Sequence, residues 1–141
     1  KDKIAEEVKS DPMLGDLLRQ HEKNRRAKEI LSDVDRTAFV FITIPLALPI
    51  AVVQRFISMV RAFDIPVGGV FVNRIIPRAA AEEDATDYMK NSYKQQSRYM
   101  DMISEQLGDL VSAYIPLYPS EVTGVDGISK YCEDMLSFNP K

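Results

Sequence analysis

Residues Val70–Pro77, with the sequence VFVNRIIP, and Ile115–Gly124, with the sequence IPLYPSEVTG, decide how this chain folds. Each stretch begins as an apolar run typical of a buried β-strand and then changes to polar residues, prolines or a glycine. Helical patterns lie before and between the two runs, which predicts parallel strands in an open α/β sheet. In such sheets, ligands bind at the loops that follow the carboxyl ends of the strands.

The loops after these two strands are therefore candidates for a nucleotide-base pocket. The first offers the carboxamide of Asn73, and the second has the pattern Pro-Leu-x-x-x-Glu-Val-x-Gly. The sequence contains no Gly-x-x-x-x-Gly-Lys-[Ser/Thr] pattern, so nothing in it is expected to cradle phosphates. These observations predict the back half of a nucleotide-binding domain.

Each candidate residue also has an interpretation without a ligand. Asn73 either contacts a base or caps the end of a strand, since Asn is common in turns. Arg74 faces either a nucleotide or solvent. Glu121 either contacts a ligand or partner or is the first-turn acid of the last helix, where the helix dipole favours negative charge. The sequence leaves these alternatives open.

The chain alternates between helical and strand patterns. Helices are predicted up to about residue 33, with a new start at Pro12, and over residues 49–63, 87–107 and 125–136. Strands are predicted over residues 38–44, 67–72 and 110–115, and Gly68 and Gly69 would let the second approach its neighbours closely. The run 38–44 is continuously apolar, which favours a strand covered on both faces. An average sheet has about five or six strands, so further strands and a phosphate loop are expected upstream of residue 1.

Composition bounds the class of protein. The 141 residues, 45% hydrophobic and 28% charged, suit one soluble globular domain or most of one. The net charge of -3 argues against nucleic-acid binding, which needs a basic face. The single cysteine, Cys132, excludes an intramolecular disulfide, favours a reducing cytoplasmic setting and is expected in the core.

Other candidate groups have simpler explanations. His21 lies in a charged helix without a second ligand or triad partner, so we expect a solvated side chain. The acids between Glu82 and Asp87 either bind Mg²⁺ or charge the start of the long helix. Several methionines, among them Met13, Met100 and Met102, either line a flexible groove or pack in the core, and core packing is the default.

The order and spacing of several stretches resemble the carboxyl-terminal portion of the arsenical-pump-driving ATPases. That family includes the ATPases that target tail-anchored membrane proteins. The resemblance runs from about Asp33 to Leu136. The similar stretches are Asp35–Val40, Ile44-Pro45, Arg55, Asp64–Val67, Val72–Arg74, Gln96–Tyr99, Ile115–Leu117 and Glu121–Gly124.

The resemblance implies a P-loop NTPase-type three-layer α/β domain, present here in part. Residues 1–34 would end a helical subdomain and residues 35–141 would form the carboxyl-terminal part of the nucleotide-binding domain. The whole protein would be a cytoplasmic ATP hydrolase using ATP and Mg²⁺, working as a homodimer or pseudodimer with a membrane-protein client or pump subunit. This portion, without the phosphate loop, would be inactive alone. The residues expected around the adenine are Asn73, Arg74, Pro116, Leu117, Tyr118, Pro119, Glu121 and Val122.

Asn73 would hydrogen-bond the base, because a carboxamide donates and accepts at once and so matches the adjacent acceptor and donor of adenine. The second loop would wrap the base, and its prolines would limit the ordering cost of binding.

The chain also departs from the family pattern. Acids that many members carry after Ile-Pro and before the helix arginine are replaced by Leu46, Ala51, Val52 and Gln54. Thr86 and Met89 stand about where many members have a zinc-binding Cys-x-x-Cys, so no zinc is expected. The missing acids favour a rival interpretation, a non-catalytic α/β interaction domain. A receiver-like or flavin-binding domain is weaker, since Ile44-Pro45-Leu46 offers no suitable turn.

Overall fold

The computed structural model describes residues 12–82 and 84–140. Four helices and three strands alternate along these residues, and two short 3₁₀ turns, Arg78–Ala81 and Gly108–Leu110, interrupt the loops. The helices are α1 Pro12–Leu31, α2 Ala47–Arg61, α3 Asp87–Leu107 and α4 Gly124–Ser137. The strands are β1 Phe39–Thr43, β2 Val67–Ile75 and β3 Val111–Pro116.

The strands form one parallel sheet with the order β1-β2-β3, which confirms the predicted α/β class. In the centre of the sheet, Thr43 of β1 pairs with Val72 of β2, which in turn pairs with Tyr114 of β3. Strand β2 continues to Ile75, three residues beyond the predicted end at Val72. The architecture is that of part of a P-loop NTPase-type domain, with parallel strands flanked by helices.

The core lies between β2 and the two helices that precede and follow it. Its buried side chains are Ile50, Val53, Ile57, Val70, Val72, Ile75, Ile103 and Leu107. Since α2 and α3 supply residues to one cluster, both helices cover the same face of the sheet. Met100 and Met102 pack against this cluster, which confirms core packing for these two methionines. Met13, in contrast, is exposed on α1.

The predicted close approach at Gly68 and Gly69 is confirmed. A Cβ at Gly68 would lie 2.9 Å from the Ala38 Cβ. A Cβ at Gly69 would lie 2.0 Å from the Ser112 Oγ, and Gly69 also has a φ of 152°, which side-chain-bearing residues rarely adopt. Glycine at position 69 therefore lets β3 reach its hydrogen-bonding distance from β2.

The prediction that β1 is covered on both faces is wrong. Ile42 is 63% exposed and Val40 47% exposed, while Thr43 on the opposite face is buried. The strand is an edge strand whose inner face alone meets α2. An apolar run shows that a strand avoids water, but it does not show which polypeptide covers it.

Cys132 is also not in the core, contrary to prediction, because it lies on the exposed side of α4. The half-buried side chains of this helix, Tyr131, Asp134 and Met135, follow helical spacing, and Cys132 lies outside the stripe that they form. The helix buries only this one stripe.

Helix α1 begins at Pro12 as predicted, with proline in the first turn, where it costs no hydrogen bond. It has no buried residue. Its connection to the sheet includes a hydrogen bond from the Ser32 Oγ to the Phe63 carbonyl, at 3.5 Å. The helix predicted before Pro12 lies outside the described residues. Across residues 12–82 and 84–140, no helix combines the length and apolarity needed to cross a membrane.

Candidate functional site

The carboxyl ends of the three parallel strands meet at one edge of the sheet. The Leu117 amide donates to the Ile75 carbonyl at 2.7 Å, so the loops after β2 and β3 start side by side. A cavity of about 340 Å³ opens at this edge, between the strand ends and α3. Its lining includes Arg74 and Leu117 among the predicted site residues, together with Ile44, Pro45, Leu46, Ile76, Tyr88, Met89, Ser92, Gln95 and Gln96.

A β-bulge at Asn73 and Arg74 shapes the end of β2. Val72 pairs with Tyr114 and Ile75 pairs with Pro116, so β2 has one residue more than β3 between these two pairs. Arg74 has a φ of 60°, in the left-handed region that non-glycine residues seldom occupy. Bulges of this kind bend a strand and redirect its side chains, and they are over-represented next to functional sites.

The Asn73 side chain stabilises the bulge and keeps part of its hydrogen-bonding capacity. Its Oδ1 accepts the Arg74 backbone N–H at 2.7 Å. A carboxamide has two lone pairs on oxygen and two N–H donors, so a half-exposed Asn73 can still donate and accept toward a ligand. The structure supports the interpretation of Asn73 as a cap, because its side chain stabilises the strained turn. Asn73 does not line the cavity at the strand ends, and its contact with a base stays a prediction.

Arg74 faces solvent and also lines the cavity at the strand ends. The two alternatives for this residue are compatible, because the cavity is open to solvent. Its guanidinium offers five donors in a fixed fork and no acceptor.

Gln96 of α3 holds the backbone immediately after the bulge. Its Nε2 donates to the Ile76 carbonyl at 3.0 Å, and its Oε1 accepts the Ile76 N–H at 2.8 Å. The side chain is only 6% exposed. Gln96 belongs to the stretch Gln96–Tyr99 that resembles the ATPase family, but no structural or binding role for it was predicted from the sequence. A usable signal was present, because Gln96, Met100, Ile103 and Leu107 share a helical stripe that is otherwise apolar.

Tyr118 anchors the loop after β3 to α4. Its hydroxyl donates to Asp134 Oδ2 at 2.6 Å, and its ring lies 5.9 Å from that of Tyr131. Partial burial, followed by the neighbouring Asp134 carboxylate, raises the pKa of the Tyr118 phenol well above its usual value, since both disfavour the phenolate. Asp134 and Tyr131 could not be predicted as partners of Tyr118 from the sequence, because contacts between a loop and the next helix leave no local pattern.

The remaining loop residues differ in exposure. Pro119 and Glu121 are exposed, whereas Pro116 and Val122 are half-buried. Glu121 does not lie in the first turn of α4, which begins at Gly124 and has Asp126 as its first-turn acid. The interpretation of Glu121 as a helix-dipole acid is therefore wrong.

The start of α3 has an ordinary helix-capping arrangement. The Thr86 Oγ1 accepts the Met89 N–H at 3.3 Å, and Asp87 is the acid of the first turn. These contacts support the interpretation in which the acids near Asp87 favour the helix start. Among residues 12–82 and 84–140, no group of three or more His, Cys, Asp or Glu side chains is arranged to hold a metal ion.

A larger open depression of about 930 Å³ lies beside the Arg78–Ala81 turn and the start of α3. It is lined only by residues between Arg78 and Tyr93, and it contains none of the predicted site residues. The smaller cavity, where three strands end, is the better candidate because parallel sheets bind ligands at that edge.

Comparison with known proteins defines the family. The sequence model described as Anion-transporting ATPase matches residues 2–137, so this chain belongs to that family. The "ATPase GET3" of Clavispora lusitaniae is 27% identical over 114 residues, which are 80% of this chain and 32% of that protein. The "ATPase GET3C" of Arabidopsis thaliana is 26% identical over 132 residues, which are 92% of this chain and 33% of that protein.

The "ATPase ASNA1 homolog 2" of Paramecium tetraurelia is a third relative, 24% identical over 106 residues, covering 75% of this chain and 31% of that protein. The chain thus spans about a third of the length of these curated relatives. The family resemblance inferred from short stretches of sequence is confirmed.

Proposed function

We propose that this chain is the carboxyl-terminal portion of an ATPase of the anion-transporting family and supplies its adenine-binding loops. The phosphate loop and the Mg²⁺ that bridges the phosphates belong, in this proposal, to a part of the protein upstream of residue 1. Residues 1–34 would end a helical subdomain and residues 35–141 would form the carboxyl-terminal part of the nucleotide-binding domain. The complete protein would hydrolyse ATP, and this portion alone would not.

The observation that carries the proposal is the bulge at Asn73 and Arg74 beside the loop that begins at Leu117. The bulge lies at the carboxyl ends of parallel strands, where such sheets bind ligands, and the Asn73 amide group there has donors for which a base would be a suitable partner. Adenine presents an acceptor next to a donor, which a carboxamide matches with two hydrogen bonds. The proposal therefore assigns the base end of ATP to this chain, whose described residues offer the phosphates no glycine-rich cradle.

The loop from Pro116 to Val122 would form the second wall of the base pocket. The hydrogen bond from Tyr118 to Asp134 fixes the first part of this loop to α4. Less conformational entropy would therefore be lost when a base binds. Glu121 and Pro119, both exposed, would contact the nucleotide or a neighbouring subunit. When bound, Mg²⁺ would neutralise charge on the transferred phosphoryl group.

Photolabelling tests the proposed position of the base. The complete protein would be irradiated with 8-azido-ATP, which carries its reactive group on the adenine ring, and the labelled peptides would be sequenced. We expect label in peptides that contain residues 73–76 or 116–122, and excess ATP should suppress it. Specific labelling confined to other peptides would contradict the proposal.

The assembly and setting of the complete protein are part of the same proposal. A cytoplasmic homodimer or pseudodimer, with a membrane-protein client or pump subunit as partner, agrees with membership in an anion-transporting ATPase family. In this proposal, the energy of ATP hydrolysis drives a change between open and closed arrangements of the subunits. Thr86, which stands about where many members of the family have a zinc-binding cysteine, caps a helix here. A dimer of this protein would therefore form through contacts other than a shared zinc ion.

A second candidate function rests on the outer surface of α2. Leu48 is 74% exposed, and Val52, Phe56 and Met59 continue the same stripe at helical spacing. Phe63, in the turn after the helix, is 61% exposed. Such a stripe suits a non-catalytic interaction domain with the same scaffold. Nucleotide binding by the complete protein distinguishes the two, since the interaction domain would bind no ATP.

A further inference from the structure

The only buried polar side chains among the described residues are Thr43 and Gln96. Gln96 is the longer, and it lies on the face of α3 that also supplies Ile103 and Leu107 to the core. A Leu or Met at this position would serve the core without the cost of desolvating an amide. The presence of Gln needs an explanation that apolar packing does not give.

The two hydrogen bonds to Ile76 supply that explanation. The Gln96 amide donates to the Ile76 carbonyl and accepts from the Ile76 N–H, at 3.0 and 2.8 Å, so it pairs with this residue as a neighbouring strand would. Ile76 has left the sheet at this point, because β2 ends at Ile75. Gln96 therefore satisfies backbone groups that no strand pairs.

The segment that Gln96 holds follows directly on the strained bulge. Arg74, with its φ of 60°, lies two residues before Ile76, and Asn73 bonds the Arg74 amide. A left-handed conformation at a non-glycine residue persists only when its surroundings hold it. Here the loop after β3 holds the Ile75 carbonyl through the Leu117 N–H, and α3 holds Ile76 through Gln96.

We infer that Gln96 is a positioning residue for the nucleotide base: by holding Ile76 it fixes the bulge that presents Asn73. The inference rests on the proposed adenine role of Asn73. It assigns to α3 a control over base affinity and base selectivity that acts through Asn73, because both ends of the Gln96 amide are already bonded to Ile76. Loss of the two hydrogen bonds would let the bulge relax and would move the Asn73 carboxamide from its binding position.

The test compares five variants of the complete protein with wild type. They are Asn73→Ala, Gln96→Met, the double variant of these two, Gln96→Asn, and the control Gln106→Met on the exposed side of α3. Met has nearly the shape of Gln but makes neither bond with Ile76. The measurements are the dissociation constants for ATP and GTP. We expect Gln96→Met to weaken ATP binding about tenfold and to reduce the preference for ATP over GTP, and Gln106→Met to change neither.

The double variant distinguishes positioning from general loss of stability. If Gln96 acts through Asn73, adding Gln96→Met to Asn73→Ala should leave selectivity where Asn73→Ala alone puts it. Gln96→Asn keeps the amide on a side chain one methylene shorter, and it should lose less of the preference for ATP over GTP than Gln96→Met. This variant also provides the test if the Gln96→Met protein does not fold.

The outcomes separate this inference from the proposed function. If Asn73→Ala weakens ATP binding while Gln96→Met and Gln96→Asn keep wild-type affinity and selectivity, the positioning role is overturned and the adenine role stands. Fully additive losses in the double variant would also overturn it. If Asn73→Ala itself changes nothing, the adenine role fails, and with it the inference.

Discussion

The half of the molecule around β2 and β3 is stabilised by close strand packing and side-chain hydrogen bonds. In contrast, β1 and the outer side of α2 present apolar side chains to solvent. In the first half, Gly69 lets two strands meet, Gln96 holds the loop after β2, and Tyr118 ties the loop after β3 to α4. In the second half, Ile42 and Leu48 are more than half exposed. The loops of the candidate site are thus held by specific contacts, while apolar side chains of β1 and α2 stay exposed.

Helix α1 extends the contrast. Arg25 bridges Glu22 and Glu29 along the helix surface, and its hydrogen bonds lower the pKa of Glu22 to about 2. These pairs are solvent-exposed, so salt screens them and they contribute little to tertiary stability. Local ion pairs keep α1 helical, whereas the β2–β3 half depends on shape and on buried hydrogen bonds. We therefore expect substitutions to have large effects in the β2–β3 half and small effects in α1.

The largest effect is expected for Gly69→Ala. The new Cβ would meet the Ser112 Oγ at 2.0 Å, and the φ of 152° would be strained for alanine. Overpacking and backbone strain together should lower the free energy of unfolding by about 3 kcal/mol, measured by urea denaturation. A loss below about 0.5 kcal/mol would show that β3 can move away from β2 without cost.

Gly15→Ala in α1 is the matched control. Nothing lies within 4 Å of the added Cβ, and alanine favours a helix by about 1 kcal/mol over glycine. The control should leave the protein unchanged or slightly more stable. A destabilisation as large as that of Gly69→Ala would remove the contrast between the two regions.

A smaller effect, and one that depends on pH, is expected for Tyr118→Phe. The hydroxyl bond to Asp134 should contribute about 1 kcal/mol near neutral pH. Because the folded protein raises the pKa of Tyr118 above its ordinary value of 10.0, this contribution is complete below pH 10.0 and is lost as the pH rises further toward the folded-state pKa. The difference in unfolding free energy between wild type and variant should therefore shrink between about pH 8 and about pH 11.

Paired denaturation curves at the two pH values provide the measurement, and the other tyrosines cancel in the difference. A difference that grows with pH would contradict the assignment of Tyr118 as a neutral donor to Asp134.

Much of the fold could be predicted from the sequence because its signals are local. Helix α3 has the predicted limits Asp87 and Leu107, since Thr86 provides a cap and an apolar stripe runs its full length. The glycines at 68 and 69 correctly indicated close strand contact. The coverage of β1 was mispredicted because an apolar run does not identify the chain that covers it.

The details of the site were less accessible. The left-handed conformation of Arg74 has no signature in residue type, because arginine seldom adopts it. The bonds from Gln96 to Ile76 and from Tyr118 to Asp134 join residues 20 and 16 positions apart, through packing that only the folded chain defines. The sequence indicated which loops meet at the edge, and the structure adds how each is held.

The most direct test of the central claim is ATP and GTP binding by Asn73→Ala in the complete protein, with Asn91→Ala on the exposed surface of α3 as control. The account predicts that Asn73→Ala weakens ATP binding about tenfold or more and brings the ATP and GTP affinities close together, while Asn91→Ala behaves as wild type. Wild-type affinity and selectivity in a folded Asn73→Ala protein would contradict the claim that this edge of the sheet binds the base.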